Sequence, residues 1–88
     1  MTNVLIVEDE AVLSALLKAQ LERLDYHVSA VATFGEQAIA LAAETKPDLI
    51  LMDIMMPGKY DGIQAAEIII RDFNIPVIFL TARSDQEA

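Results

Sequence analysis

The sequence is poor in several residue types, and each shortage excludes a class of protein. None of its 88 residues is cysteine, which excludes a disulfide framework and a thiolate metal site. Lysine and arginine number 6 against 14 aspartates and glutamates, so a surface for nucleic-acid phosphates is not expected. Charged residues break every apolar run before it reaches the length of a membrane span, and the start MTNVLIVEDE lacks the layout of a secretory signal. We expect a cytoplasmic protein that binds neither nucleic acid nor membrane.

The residues that are present indicate one globular domain. The composition is 55% hydrophobic and 23% charged, which is too apolar for a disordered segment. A chain of this length makes at most one domain, and no linker, repeat or low-complexity stretch divides it.

Short apolar runs alternate with amphipathic stretches along the chain. The predicted strands are residues 4–7, 27–31, 48–52 and 77–81. The first helix follows Glu10, and leucines recur in it at intervals of three and four: Leu13, Leu16, Leu17, Leu21 and Leu24. Four strands that alternate with three helices predict a parallel α/β sheet with helices on both faces.

Capping boxes mark the starts of the later helices. Thr33 with Glu36 predicts a helix over residues 34–44, and Asp61 with Gln64 predicts one over residues 63–72. A third pattern of this kind, Ser84 to Glu87, stands next to the last residue of the sequence.

Carboxylates stand at the ends of the predicted strands, where open parallel sheets bind their ligands. Glu8 and Asp9 follow the first strand, Asp53 follows the third, and Thr81 ends the fourth. Each acid alone is as readily a solvated residue or a helix cap, but their joint placement favours a site. If the first and third strands are neighbours, about 4.8 Å apart, the acids converge and repel one another unless a cation lies between them. Ligands that are all oxygen favour magnesium, so we expect Asp53 to be lifted to the sheet edge and paired with a metal ion.

Three motifs resemble those of the receiver domain of bacterial two-component response regulators. They are VLIVEDE, DLILMDIMMPGKYDG and PVIFLTA, and the resemblance covers all 88 residues. It implies a flavodoxin-like, doubly wound parallel sheet of strand order 2-1-3-4, with the fifth strand and the last helix missing. Residues 1–88 would then be a receiver domain that is incomplete at its C-terminus and lacks the family's phosphate-binding lysine. The loop PGKYDG is one residue longer than is usual in the family.

The resemblance also implies a role for each site residue. Asp53 would accept a phosphoryl group from a sensor histidine kinase or a phosphotransfer protein. Asp9 and Asp53 would bind Mg²⁺ directly, Glu8 through a water molecule, and Met55 through its main-chain carbonyl. The Thr81 hydroxyl would bind the phosphoryl group and switch the conformation. The chain would be a switch in a phosphorelay that assists only its own phosphoryl transfer, and not an enzyme.

Two other classes of protein are alternatives to a receiver domain, and the sequence argues against the first. An aspartate-nucleophile phosphatase also ends a parallel strand with an acid, but it needs a second aspartate where this chain has Met55. An interaction module that is not phosphorylated would keep the fold and use its helix surfaces instead. Binding of beryllofluoride at Asp53 would distinguish a receiver from such a module.

The fourth predicted strand would be an edge of the sheet. It is apolar, has no lysine, and only Pro76 at its start hinders pairing with another chain. We therefore expect the 88-residue chain to self-associate through this strand.

Overall fold

The computed structural model of the chain describes residues 1–80. The strands are β1 (Asn3–Val7), β2 (His27–Ala32), β3 (Leu49–Asp53) and β4 (Val77–Leu80). The helices are α1 (Ala11–Arg23), α2 (Gly35–Thr45) and α3 (Gly62–Phe73). The elements follow one another in the predicted order. Thr81 and the capping pattern over residues 84–87 lie outside the described residues.

All four strands are parallel, and their order is β2-β1-β3-β4, which confirms the predicted topology. The last residue of β1, Val7, lies opposite Met52 of β3 and opposite Ala32 of β2. The chain runs from β1 outward to β2 and then returns past β1 to β3, so the direction of winding reverses between these strands. The carboxyl ends of β1 and β3 therefore border the crevice in which sheets of this kind bind ligands.

Helices cover both faces of the sheet, as predicted. The fully buried side chains of β1 and β3 on the face beneath α2 and α3 are Leu5, Val7, Ile50 and Met52. On the opposite face Val4 and Ile6 pack with Leu17 and Leu21 of α1. Burial of each such side chain contributes about 1.5–3 kcal/mol. The two central strands are thus held rigidly beneath the residues that follow them.

Helix α1 turns only part of its leucine stripe toward the sheet. Leu13, Leu17 and Leu21 are half-buried, whereas Leu16 is 57% exposed and Leu24 is 68% exposed. Leu24 lies beyond the last helical residue, and the helix packs on β1 and β2. The predicted stripe was therefore wider than the face that these two strands can bury.

One predicted capping box is confirmed. The Gln64 main-chain N–H donates to the Asp61 carboxylate over 2.8 Å, and the Asp61 N–H donates to the Gln64 side chain over 3.0 Å. Two donors at the start of α3 are satisfied by this reciprocal pair.

The other predicted capping box, Thr33 with Glu36, is wrong. Phe34 is the N-cap residue of α2 and provides no side-chain hydrogen bond. The Thr33 N–H donates instead to the side chain of Gln37 over 2.8 Å. Because the helix begins one residue later than predicted, Gln37 reaches back in place of Glu36.

No helix within residues 1–80 is both long enough and apolar enough to cross a membrane.

Candidate functional site

Three carboxylates meet at the carboxyl ends of the central strands. Glu8 and Asp9 follow β1 directly, and Asp53 is the last residue of β3. Because β1 and β3 are hydrogen-bonded neighbours in register, one oxygen from each carboxylate lies within 4.8 Å of the others. The predicted convergence of these acids is what the structure shows.

Glu8 is almost completely buried, with 2% of its surface exposed. Its Oε2 accepts a hydrogen bond from the Glu10 N–H over 3.1 Å, while its buried Oε1 has no partner among residues 1–80. Burial is the main cause that raises the pKa of the Glu8 carboxyl above its ordinary value; the Glu10 N–H lowers the pKa, and the neighbouring Asp53 and Asp9 raise it further. An unpaired buried carboxylate oxygen beside two other acids fits a site for a cation.

Asp53 is part of the strand and is buried, with 8% of its surface exposed. The expectation that the strand ends at Met52 and that Asp53 is lifted away from the interior was therefore wrong in part. The side chain lies at the sheet edge as expected, but below the surface. Its Oδ1 accepts a hydrogen bond from the Met55 N–H over 3.1 Å, which orients the carboxylate toward the other acids.

A shallow pocket of about 440 Å³ opens beside the acids. Its lining residues are Asp9, Ile54, Met55, Met56, Pro57 and Asp61. Asp9 and the Met55 side chain are exposed there, with Met55 at 69%. A small ligand therefore has access to the acids from solvent along the loop that follows β3.

The structure brings together four of the five predicted site residues. Glu8, Asp9 and Asp53 form the cluster, and Met55 lies beside it on the loop. Thr81 lies outside the described residues. The sequence pattern indicated only a helix cap at Asp61, whereas this residue also lines the pocket. Its position directly before the helix was the available signal, since that helix starts at the same sheet edge.

The fold and the site together define a class of protein: a doubly wound parallel α/β domain with three carboxylates at its switch point. The chain belongs to the response regulator receiver domain family, whose sequence profile matches residues 4–88. This confirms the predicted family and fold class. The members are signalling domains of two-component systems.

Relatives of known sequence and structure agree with this assignment. The chain is 42% identical over 85 residues to the transcriptional regulatory protein ResD of Bacillus subtilis (strain 168), a match that covers 97% of this chain and 35% of ResD. The signal receiver domain of a modulated diguanylate cyclase from Desulfovibrio desulfuricans G20 is 41% identical, with a TM-score of 0.91 over 97% of this chain and 68% of that chain. The response regulator domain of Thermotoga maritima CheB is 34% identical, with a TM-score of 0.88 over all of this chain and 66% of that one. The chain spans about a third of the length of the curated relatives it matches.

Proposed function

We propose that the chain is a phosphorylation-dependent switch in which Asp53 accepts a phosphoryl group from a sensor histidine kinase or a phosphotransfer protein. The observation that carries the proposal is the convergence of Glu8, Asp9 and Asp53 within 4.8 Å at the switch point of the sheet. Asp53 is the acid of this group that ends a strand, is buried, and is oriented by a main-chain N–H. A carboxylate in such surroundings is a suitable nucleophile for phosphorus.

Mg²⁺ is the metal that best suits the donor set, because all the donors are oxygens. Asp9 and Asp53 would bind it directly, Glu8 through a water molecule, and Met55 through its main-chain carbonyl. The unpaired Oε1 of Glu8 supports this assignment, since a metal-bound water would give that oxygen a partner. The ion would neutralise negative charge on the transferred group and hold donor and acceptor in line.

The transfer itself needs little from the protein beyond position and charge. A carboxylate oxygen of Asp53 forms a bond to phosphorus while the bond from phosphorus to the donor's histidine nitrogen breaks, and the electron pair stays on the imidazole. The Met55 N–H keeps the Asp53 carboxylate turned toward the pocket through which the donor approaches. The chain would thus assist only its own phosphorylation and have no turnover of its own.

We propose that the Thr81 hydroxyl binds the phosphoryl group and that this contact changes the conformation of the domain. Thr81 is the residue directly after β4, which pairs with β3 so that Leu80 lies opposite Asp53.

We also propose a cytoplasmic location, because the kinase draws its phosphoryl group from intracellular ATP. Direct binding to nucleic acid is not part of the proposal, given a net charge of −8.

The test is phosphorylation of the chain by a small-molecule phosphodonor with Mg²⁺, followed by intact mass. Asp53→Asn should abolish incorporation, because an amide is not a nucleophile for this reaction. The matched control is Asp25→Asn: Asp25 is exposed, precedes β2 at the opposite edge of the sheet, and has φ 69, which asparagine also tolerates. Incorporation that is undiminished in Asp53→Asn would overturn the assignment. A parent chain that binds neither phosphate nor beryllofluoride would instead indicate an interaction module.

A further inference from the structure

The loop between β3 and α3 is held at its base by its own residues. The Gly62 N–H donates to the Ile54 carbonyl over 2.9 Å, which closes the loop where it leaves the sheet. The Met55 N–H is bound to Asp53, and Asp61 caps α3. These contacts fix the two ends of the loop. Its middle, residues 57–60, packs on the domain where Tyr60 lies against the hydrophobic core and close to Gly35.

Glu36 of α2 supplies a contact to the middle of the loop. Its Oε2 accepts a hydrogen bond from the Lys59 N–H over 3.2 Å, across 23 positions of sequence. Within residues 1–80 this is the only hydrogen bond that ties residues 56–60 to another helix or strand. Within the described part of the chain, Glu36 is therefore the one side chain outside the loop that is hydrogen-bonded to residues 56–60.

The rest of the Glu36 carboxylate is also turned toward the loop. Its Oε1 is buried and has no hydrogen-bond partner among residues 1–80. A Cβ added to Gly58 would lie 3.1 Å from this oxygen, and Gly58 has φ 101, a conformation that favours glycine. A buried carboxylate oxygen without a partner is unfavourable, and the hydrogen bond that the Lys59 N–H donates to the other oxygen partly offsets this cost.

Glu36 is free to make this contact because it does not cap its own helix. Gln37 takes the Thr33 N–H that the sequence assigned to Glu36. The carboxylate also lies in the first turn of α2, where the helix dipole favours a negative charge. The arrangement thus joins the start of α2 to the loop that lines the pocket.

We propose that Glu36 is a positioning residue for the acidic site: it holds Gly58 and Lys59 and thereby fixes the backbone of the pocket residues Met55 and Met56. The expected effect on magnesium binding rests on the proposed function. The expected effect on the position of the loop does not depend on it. Loss of the Glu36 contact should let the loop move away from the acids while the sheet beneath them stays intact.

The test compares Glu36→Ala, Glu36→Gln and the control Glu44→Ala, which removes an exposed carboxylate from the same helix. Amide hydrogen exchange without magnesium should show Lys59 exchanging roughly five to ten times faster in Glu36→Ala, together with shifted Met55 and Met56 amide resonances. The dissociation constant for Mg²⁺ should rise about tenfold, as for other residues that orient metal ligands. Glu36→Gln should restore all three readouts, because its amide oxygen can accept the same hydrogen bond, and Glu44→Ala should match the parent.

An unchanged Lys59 exchange rate in Glu36→Ala would overturn the proposal. So would faster Lys59 exchange with unchanged Met55 and Met56 resonances, because the contact would then not reach the pocket. A parent chain that binds no magnesium would overturn the proposed function, while the exchange and resonance measurements would still decide the role of Glu36. Core amide resonances outside the loop that match the parent show that each variant is folded.

Discussion

The Glu8 carboxylate is buried on folding, and its Oε1 has no hydrogen-bond partner among residues 1–80. Its pKa is raised chiefly by burial, against the lowering effect of the Glu10 N–H, and Asp53 and Asp9 add to the rise. The folded chain therefore binds the Glu8 proton more tightly than the unfolded chain does. It follows that the free energy of unfolding decreases as pH rises from the ordinary value of 4.5 through the raised pKa.

At the residue scale we expect Glu8→Gln to alter the pH dependence of stability. Without metal, the parent should gain stability relative to Glu8→Gln as pH falls through the raised pKa toward 4.5, because only the parent takes up a proton at this position. Urea denaturation at a series of pH values measures the difference. Glu10→Gln, which changes an exposed neighbour, is the control. A difference between parent and Glu8→Gln that does not vary with pH would contradict the role of the Glu8 charge.

Helix α3 begins so close to the end of β3 that its first residue has room for no side chain. A Cβ added to Gly62 would overlap the Asp53 carbonyl oxygen and would come 2.8 Å from the Ile54 Cα. Both obstacles are main-chain atoms of the site strand and its loop, so neither can move without moving Asp53. The approach of the helix and the position of Asp53 are therefore coupled through the backbone.

At the element scale we expect Gly62→Ala to destabilise the fold. A glycine-to-alanine change inside an exposed helix normally stabilises by about 1 kcal/mol, but the collision here should cost about 1–3 kcal/mol or more. The free energy of unfolding in urea measures the effect. Glu67→Ala, at an exposed position of the same helix, should change it little. Stability equal to or above that of the parent would show that α3 can shift without cost.

Strand β4 is the edge of the sheet within residues 1–80, where it pairs with β3 on one side only. Its Ile78 is 51% exposed and Phe79 is 40% exposed. Helix α1 packs on β1 and β2, and its Val12 and Leu16 are 75% and 57% exposed. An apolar edge strand favours pairing with a second copy of the chain, and the exposed apolar side chains of α1 offer a second apolar surface away from β4.

At the scale of the whole molecule, self-association through β4 stays our expectation. Sedimentation across a concentration range should show dimers or larger species, and more of them at high salt, because a net charge of −8 repels a second copy until it is screened. Ile78→Lys should reduce association by placing a charge on the edge. Ile63→Lys changes a residue of similar exposure, 48%, on α3 and should not reduce it. A monomer at high concentration and high salt would contradict the expectation.

Much of the fold and of the site could be predicted because the signals are local. The unalternating run of β1 indicated a strand buried on both faces, and the Asp61–Gln64 pair indicated the start of α3, since a capping box involves residues three apart. The acids at the ends of β1 and β3 could be assigned to one site once alternating strands and helices implied a parallel sheet. These inferences depend on side-chain periodicity and chain direction, which the order of residues specifies directly.

The order of elements, the parallel sheet and the acids at its carboxyl edge could all be inferred from the order of residues alone. Only the tertiary structure decided that Asp53 belongs to its strand and is buried, that Leu16 is left exposed, and that Glu36 binds Lys59 instead of capping its helix. Each of these outcomes depends on how closely two elements approach. That distance is set by the packing of residues far apart in the chain, and a pattern that repeats every two to four residues does not contain it.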